Sequence, residues 1–116
     1  MDGAQAEQLA RRFLEERGLY WQAANFRTRR GEIDLIMRDN NVLVFVEVRS
    51  RRPSRFGTAA ESITRQKIRR LQAAASAYLQ SRRLYNSAMC RFDVVAVQAG
   101  AGQPPRIEWI KNAFTI

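Results

Sequence analysis

The stretch Gly31–Arg51 reads GEIDLIMRDNNVLVFVEVRSR. Ile33, Leu35 and Met37 alternate with Glu32, Asp34 and Ile36, and Val42 to Val48 is a continuous β-prone run. Between them Asp39, Asn40 and Asn41 supply turn chemistry, because asparagine tolerates positive φ. The stretch therefore reads as a β-hairpin. A two-residue primed turn at Asn40 and Asn41 pairs Asp39 with Val42 and sets Asp34 opposite Glu47. Period two then puts Glu47 and Arg49 on one face of their strand and Glu32 and Asp34 together on theirs. Directly opposed residues have Cβ atoms about 5 Å apart, and like charges there destabilise a sheet. A bound divalent cation explains such a pair better than a structural role does. The same register sets Glu32 opposite Arg49, a basic group beside the carboxylates. Ile36, Leu43 and Phe45 share the face with Asp34 and Glu47, so the acids sit at the margin of an apolar surface, where charges need partners. Two other arrangements stay open. In one, the hairpin lies at the surface, Glu32 and Arg49 form an ion pair, and Asp34 and Glu47 are merely solvated. In the other, a three-residue loop slips the register, pairs Asp34 with Val46 and separates the carboxylates.

Working outward, Ala6, Leu9, Ala10, Phe13 and Leu14 follow the spacing of an amphipathic helix over Gln5 to Arg17, which Gly18 ends. Leu19 to Phe26 reads as a strand. Arg51 to Gly57, with Pro53, reads as a loop. Ile68, Leu71, Ala75, Tyr78 and Leu79 mark a second helix from about Thr64 to Arg82. Arg91 to Val97 is a further strand, and Ile107 to Ile110 adds a final strand or short edge segment after the turn-rich Gly100 to Pro105. The order is αβββαβ(β).

The 116 residues fit one domain, 46% of them hydrophobic and 27% charged, with no apolar run approaching the ~20 residues of a membrane span. Asp2 and Glu7 stand where a secretory signal needs basic residues, so a cytoplasmic protein is expected. There is no histidine and one cysteine, Cys90, which excludes an internal disulfide, the usual zinc sites and histidine acid/base catalysis. Any metal is held by oxygen ligands, which favours Mg2+ or Mn2+. Net charge is +9. Of the 20 basic residues only Lys67 and Lys111 are lysine. They fall in groups: Arg27, Arg29 and Arg30; Arg49, Arg51, Arg52 and Arg55; Arg65, Lys67, Arg69 and Arg70. Clustered arginines suit phosphate backbones, and nucleic acid is the natural partner, although a solvated basic face has the same composition. Asp93, in a valine-rich strand, reads as a structural anchor to an arginine or a backbone amide. Trp21, Phe56, Tyr85 and Trp109 receive no base-stacking role.

The Gly31–Arg51 segment resembles the signature of the bacterial YraN family, relatives of the archaeal Holliday-junction resolvases. The stretch through Phe56 and Gly57 to Lys67 and Tyr78 is similar too, as are Arg91, Phe92 and Asp93 and the ending Asn112, Ala113 and Phe114. The resemblance implies the PD-(D/E)XK nuclease core, an α/β restriction-endonuclease-like fold with a mixed sheet and helices on both faces. It implies magnesium at Asp34 and Glu47, the pair the hairpin already selects. An acidic residue on the first helix often completes the site in the resolvases, and Glu7, bordering the apolar stripe, matches that position. Arg49 stands where the superfamily has lysine, and a guanidinium is bulkier and effectively never deprotonated. Two functions follow. One is a metal-dependent endonuclease acting on DNA, branched or otherwise structured, with Arg49 stabilising the phosphate and Arg51, Arg52, Arg55 and Lys67 gripping the backbone. The other is a noncatalytic DNA- or RNA-binding module. The resolvase likeness also suggests a homodimer.

Overall fold

In the computed structural model, which describes residues 2–51, 63–84, 88–100 and 102–114, the chain begins with helix α1 (Gly3–Glu16). Asp2 caps it through a capping box, its carboxylate accepting from Gln5 N at 2.8 Å while the Gln5 side chain accepts from Asp2 N at 3.0 Å. Gly18, at φ 94°, turns the chain out of the helix as expected, and Leu19 N closes back on Leu14 O at 3.1 Å. The remaining elements are β1 (Tyr20–Arg27), β2 (Glu32–Asp39), β3 (Val42–Arg51), α2 (Arg65–Ser81), β4 (Met89–Gln98) and β5 (Arg106–Phe114). The order is the expected one. The last strand, expected as a short segment, runs to nine residues because a bulge opposite Asp93 lets it continue past Ile110. Beyond Arg51, the expected loop to Gly57 lies outside the described residues.

One sheet holds the strands in the order β1-β2-β3-β4-β5, with β3 and β4 parallel and every other pair antiparallel. A parallel pair needs a crossover, and α2 lies on it. The molecule is thus a mixed α/β fold with a helix on each face. Ala6, Ala10 and Leu14 of α1 pack with Leu35, Met37, Val44, Val46, Val95 and Val97. On the other side Leu71, Ala74, Ala75, Tyr78 and Leu79 of α2 pack with Ile33, Ile36, Leu43, Phe45 and Phe92. Covered on both faces, β4 is buried from Phe92 to Val97 without alternation. No helix among the described residues is long and apolar enough to cross a membrane.

Asp93, wholly buried, is the structural anchor the sequence suggests. Its carboxylate accepts from Arg91 Nε at 3.0 Å, Trp109 Nε1 at 2.9 Å and Asn112 N at 2.9 Å. Arg91 Nη1 also donates to Asp39 Oδ2 at 2.9 Å, so one network ties β5 and β4 to the end of β2. A buried ion pair that loses one partner leaves the other charge uncompensated. Asp93→Ala should therefore cost about 3–5 kcal/mol in urea unfolding; a loss below about 1 kcal/mol would show that the network is decorative.

Candidate functional site

The β2–β3 ladder runs from Asp39↔Val42 through Ile36↔Phe45 to Leu35↔Val46. This is the register of the two-residue turn, with Asn40 taking φ 53°, and it excludes the slipped pairing of Asp34 with Val46. Past Leu35 the strands part. Asp34 bridges the opening with its side chain, Oδ2 accepting from Val48 N at 2.8 Å. The alternation of β2 also breaks here. Ile33 and Ile36, an odd number apart, both pack on the α2 side, and Asp34 between them is half-buried. Next to this break on β1, Asn25 takes φ 52°.

The expected neighbour Arg49 is not where the ideal hairpin puts it. Because β2 stays with β1 after leaving β3, Glu32 pairs with Arg27, Nε to Oε2 at 3.4 Å, rather than with Arg49. Arg49 is half-buried and makes no ion pair among the described residues.

Glu47 points to the α2 side and is only 4% exposed. Its carboxyl lies within hydrogen-bonding reach of that of Asp34. Burial pushes Glu47 up to about 8, and the Asp34 carboxyl beside it adds to the shift, while Lys67 opposes it. Lys67 Nζ stands 3.3 Å from Glu47 Oε2. That distance makes an ion pair, yet Oε2 is buried with no hydrogen bond of good geometry among the described residues. A buried carboxylate oxygen so placed has spare capacity to accept.

Glu7, on α1, lies beside the Asn25 side chain. Its carboxyl is held above the ordinary range by burial first and by the Asp34 charge second. It feels the pair without joining it, since no group of three or more His, Cys, Asp or Glu side chains among the described residues is gathered closely enough to hold a metal. Arg51 is in β3 at its end, and Arg52 and Arg55 lie outside the described residues.

Lys67, expected to grip the nucleic-acid backbone, is turned inward against Glu47, a place beside the carboxylates that the sequence did not suggest. A signal existed. Lys67, Leu71 and Ala74 are spaced i, i+4, i+7, which puts the lysine at the head of the buried stripe of α2. Thr64 fixes that orientation by capping the helix, its Oγ1 accepting from Lys67 N at 3.1 Å.

The family described as Uncharacterised protein family UPF0102 matches residues 6–97. A UPF0102 protein of Pseudomonas aeruginosa is 49% identical over 113 residues, which cover 97% of this chain and 90% of the relative. A UPF0102 protein of Yersinia pseudotuberculosis is 52% identical over 113 residues, with 97% and 92% covered.

An acid whose folded-state pKa is raised binds its proton more tightly in the folded state, so stability falls as pH rises from 4.5 toward 8 and the unfolded chain releases the proton first. Glu47→Gln removes that loss. In urea unfolding with chelator present, the variant should gain on the wild type between pH 5 and pH 8, by about 2 kcal/mol or more at the upper end. Equal pH profiles would mean that Glu47 is not held in its neutral form.

Proposed function

The chain belongs to the uncharacterised protein family UPF0102, and from its carboxylate site we propose that it is a metal-dependent nuclease of the PD-(D/E)XK kind, hydrolysing phosphodiesters of DNA. The observation that carries the reading is the buried Glu47 Oε2, without a hydrogen bond of good geometry among the described residues, beside a second carboxylate and 3.3 Å from a lysine ammonium. Sharing a desolvated corner is costly for two carboxyl groups, and a structural role gives no reason for Glu47 to remain an acid. A divalent cation with oxygen ligands fits the residues present. Asp34 and Glu47 would hold it, and two carboxylates suffice for Mg2+, which commonly keeps several waters and takes further oxygens from a phosphate. When bound, such an ion neutralises phosphate charge and makes hydroxide accessible near neutral pH.

The protein's own groups have distinct tasks. Asp34 is oriented by the Val48 amide, so its carboxylate is fixed before any ligand arrives. Glu7 adds negative field from α1, beside Asn25. Lys67 is the cation that meets the carboxylates, and we assign it the phosphate-stabilising task that the superfamily gives to the lysine after the glutamate. Arg49, two residues after Glu47, then needs only to attract the flanking phosphate. The noncatalytic alternative draws on one observation, the arginine at that position.

Purified protein incubated with branched, duplex and single-stranded DNA in Mg2+ or Mn2+ should cut, and chelator should stop it. Asp34→Asn should lower the rate by about a hundredfold or more, and Lys67→Ala should cost more than Arg49→Ala. Cleavage that persists in Asp34→Asn would remove the site. Binding without cleavage in either metal would establish the noncatalytic module, and a larger loss in Arg49→Ala would return the lysine's task to Arg49.

A further inference from the structure

The two helices differ sharply in charge. Within α1 stand Glu7, Glu15 and Glu16 against Arg11 and Arg12, and Arg11 is paired with Glu15 at 3.3 Å. Within α2 stand Arg65, Lys67, Arg69 and Arg70 with no acid at all. Cations in the first turn of a helix oppose its dipole, so they do not stabilise the helix itself. A second basic group is brought against them by the fold. The turn 28–31 is closed by Thr28, whose Oγ1 donates to Gly31 O at 3.0 Å and accepts from the Arg30 and Gly31 amides at 3.1 Å. Gly31 then presses on α2, where a Cβ would strike the backbone carbonyl of Arg70. Arg29 and Arg30 are consequently held exposed beside α2, over a groove of about 410 Å³ floored by Ala73, Ser76 and Ala77. Arg69, Ala73 and Ser76 follow i, i+4, i+7, so Arg69 stands on the same face of α2 one turn before the floor of that groove. None of Arg29, Arg30, Arg65, Arg69 and Arg70 pairs with a carboxylate among the described residues.

We propose that the face shared by the turn 28–31 and α2 is the surface on which the DNA sugar-phosphate backbone lies as it enters the carboxylate site, which makes α2 the substrate side of the sheet. The inference rests on the nuclease reading for its ligand. Charge complementarity selects a polyanion, since Arg29 and Arg30 line the groove, the first turns of α2 carry further arginines, none of them is paired among the described residues, and such a row suits successive phosphate groups. The small residues of the floor let a backbone approach closely. Continuity with the site is short: Gly31 is three residues before Asp34, about 10 Å along a strand, and Lys67 is one helical turn before Arg70.

The test measures binding of labelled duplex and branched DNA by fluorescence anisotropy in chelator, where cleavage plays no part. Arg29→Ala with Arg30→Ala, and Arg69→Ala with Arg70→Ala, should each weaken binding about tenfold or more and lower the slope of log K against log salt by about 1 to 2. Arg11→Ala with Arg12→Ala removes the same formal charge from α1 and should change binding less than about threefold. Ser76→Glu should weaken binding while Ser76→Gln leaves it near wild type, which separates charge in the groove from bulk. Circular dichroism and melting confirm that each variant is folded. Equal losses from all three arginine pairs, or the greatest loss from the α1 pair, would overturn the surface. So would a wild type that binds no DNA. If these losses fail to appear while Asp34→Asn still abolishes cleavage, the surface falls and the nuclease reading stands; if they appear in a protein that never cuts, the reverse holds.

Discussion

Two strands that are paired at Leu35 and Val46 separate one residue later, and the molecule's chemistry is gathered in the gap. Had the ladder continued, Asp34 would be an ordinary cross-strand neighbour of Glu47 on a pleated face. Instead its carboxylate takes the Val48 amide that the departing strand leaves without a ladder partner, and Glu47 is left buried beside it. Hydrogen bonding orients one acid and desolvation raises the other. The asymmetry matters to the proposed function, because a fixed carboxylate and a reluctant one would gain free energy from an arriving cation. The gap is stable because both strands have other partners, β2 with β1 as far as Glu32 and β3 with β4 as far as Arg51.

The same parting determines which helix serves the site. Glu47 faces α2, so a group from that helix must meet it, and Lys67 is one turn along from a threonine cap that sets its direction. Behind it, Gly31 lets the β1–β2 turn close on α2 at backbone distance. Any side chain there would push the turn outward and carry Arg29 and Arg30 away from the helix. A glycine three residues before Asp34 thus keeps Arg29 and Arg30 against α2, while the Asp93 network holds the far side of the sheet and the end of β2 without touching the site.

Much of this was legible in the sequence, for reasons that differ between elements. The β2–β3 register could be read because Asn40 and Asn41 constrain the turn and the pleat then dictates every pairing as far as Leu35. The helices could be read from their apolar spacing, and the anchoring of Asp93 from the cost of burying a lone carboxylate. The parting of the strands could not. It coincides with a positive φ at Asn25 on the neighbouring strand and with β2 staying paired to β1, a tertiary choice with no local signature in Glu32 or Asp34. For that reason Glu32 was expected opposite Arg49 and is found with Arg27. Lys67 was legible only to a reader who followed the buried stripe of α2 past its obvious apolar residues to its first turn.

These observations bear on the arginine at position 49. A lysine two residues after the glutamate would point from the same strand face as Glu47 and compete for the space that Lys67 fills from α2. Two ammonium groups converging on one buried carboxylate would repel each other, whereas a broad, planar guanidinium can keep its delocalised charge in the solvent-accessible margin while its methylenes line the strand. Arg49 is half-buried and outside any ion pair among the described residues, as that division requires. On the nuclease reading proposed above, the arginine in the strand is the complement of the lysine in the helix. On that reading the ammonium beside Glu47 comes from α2 rather than from β3.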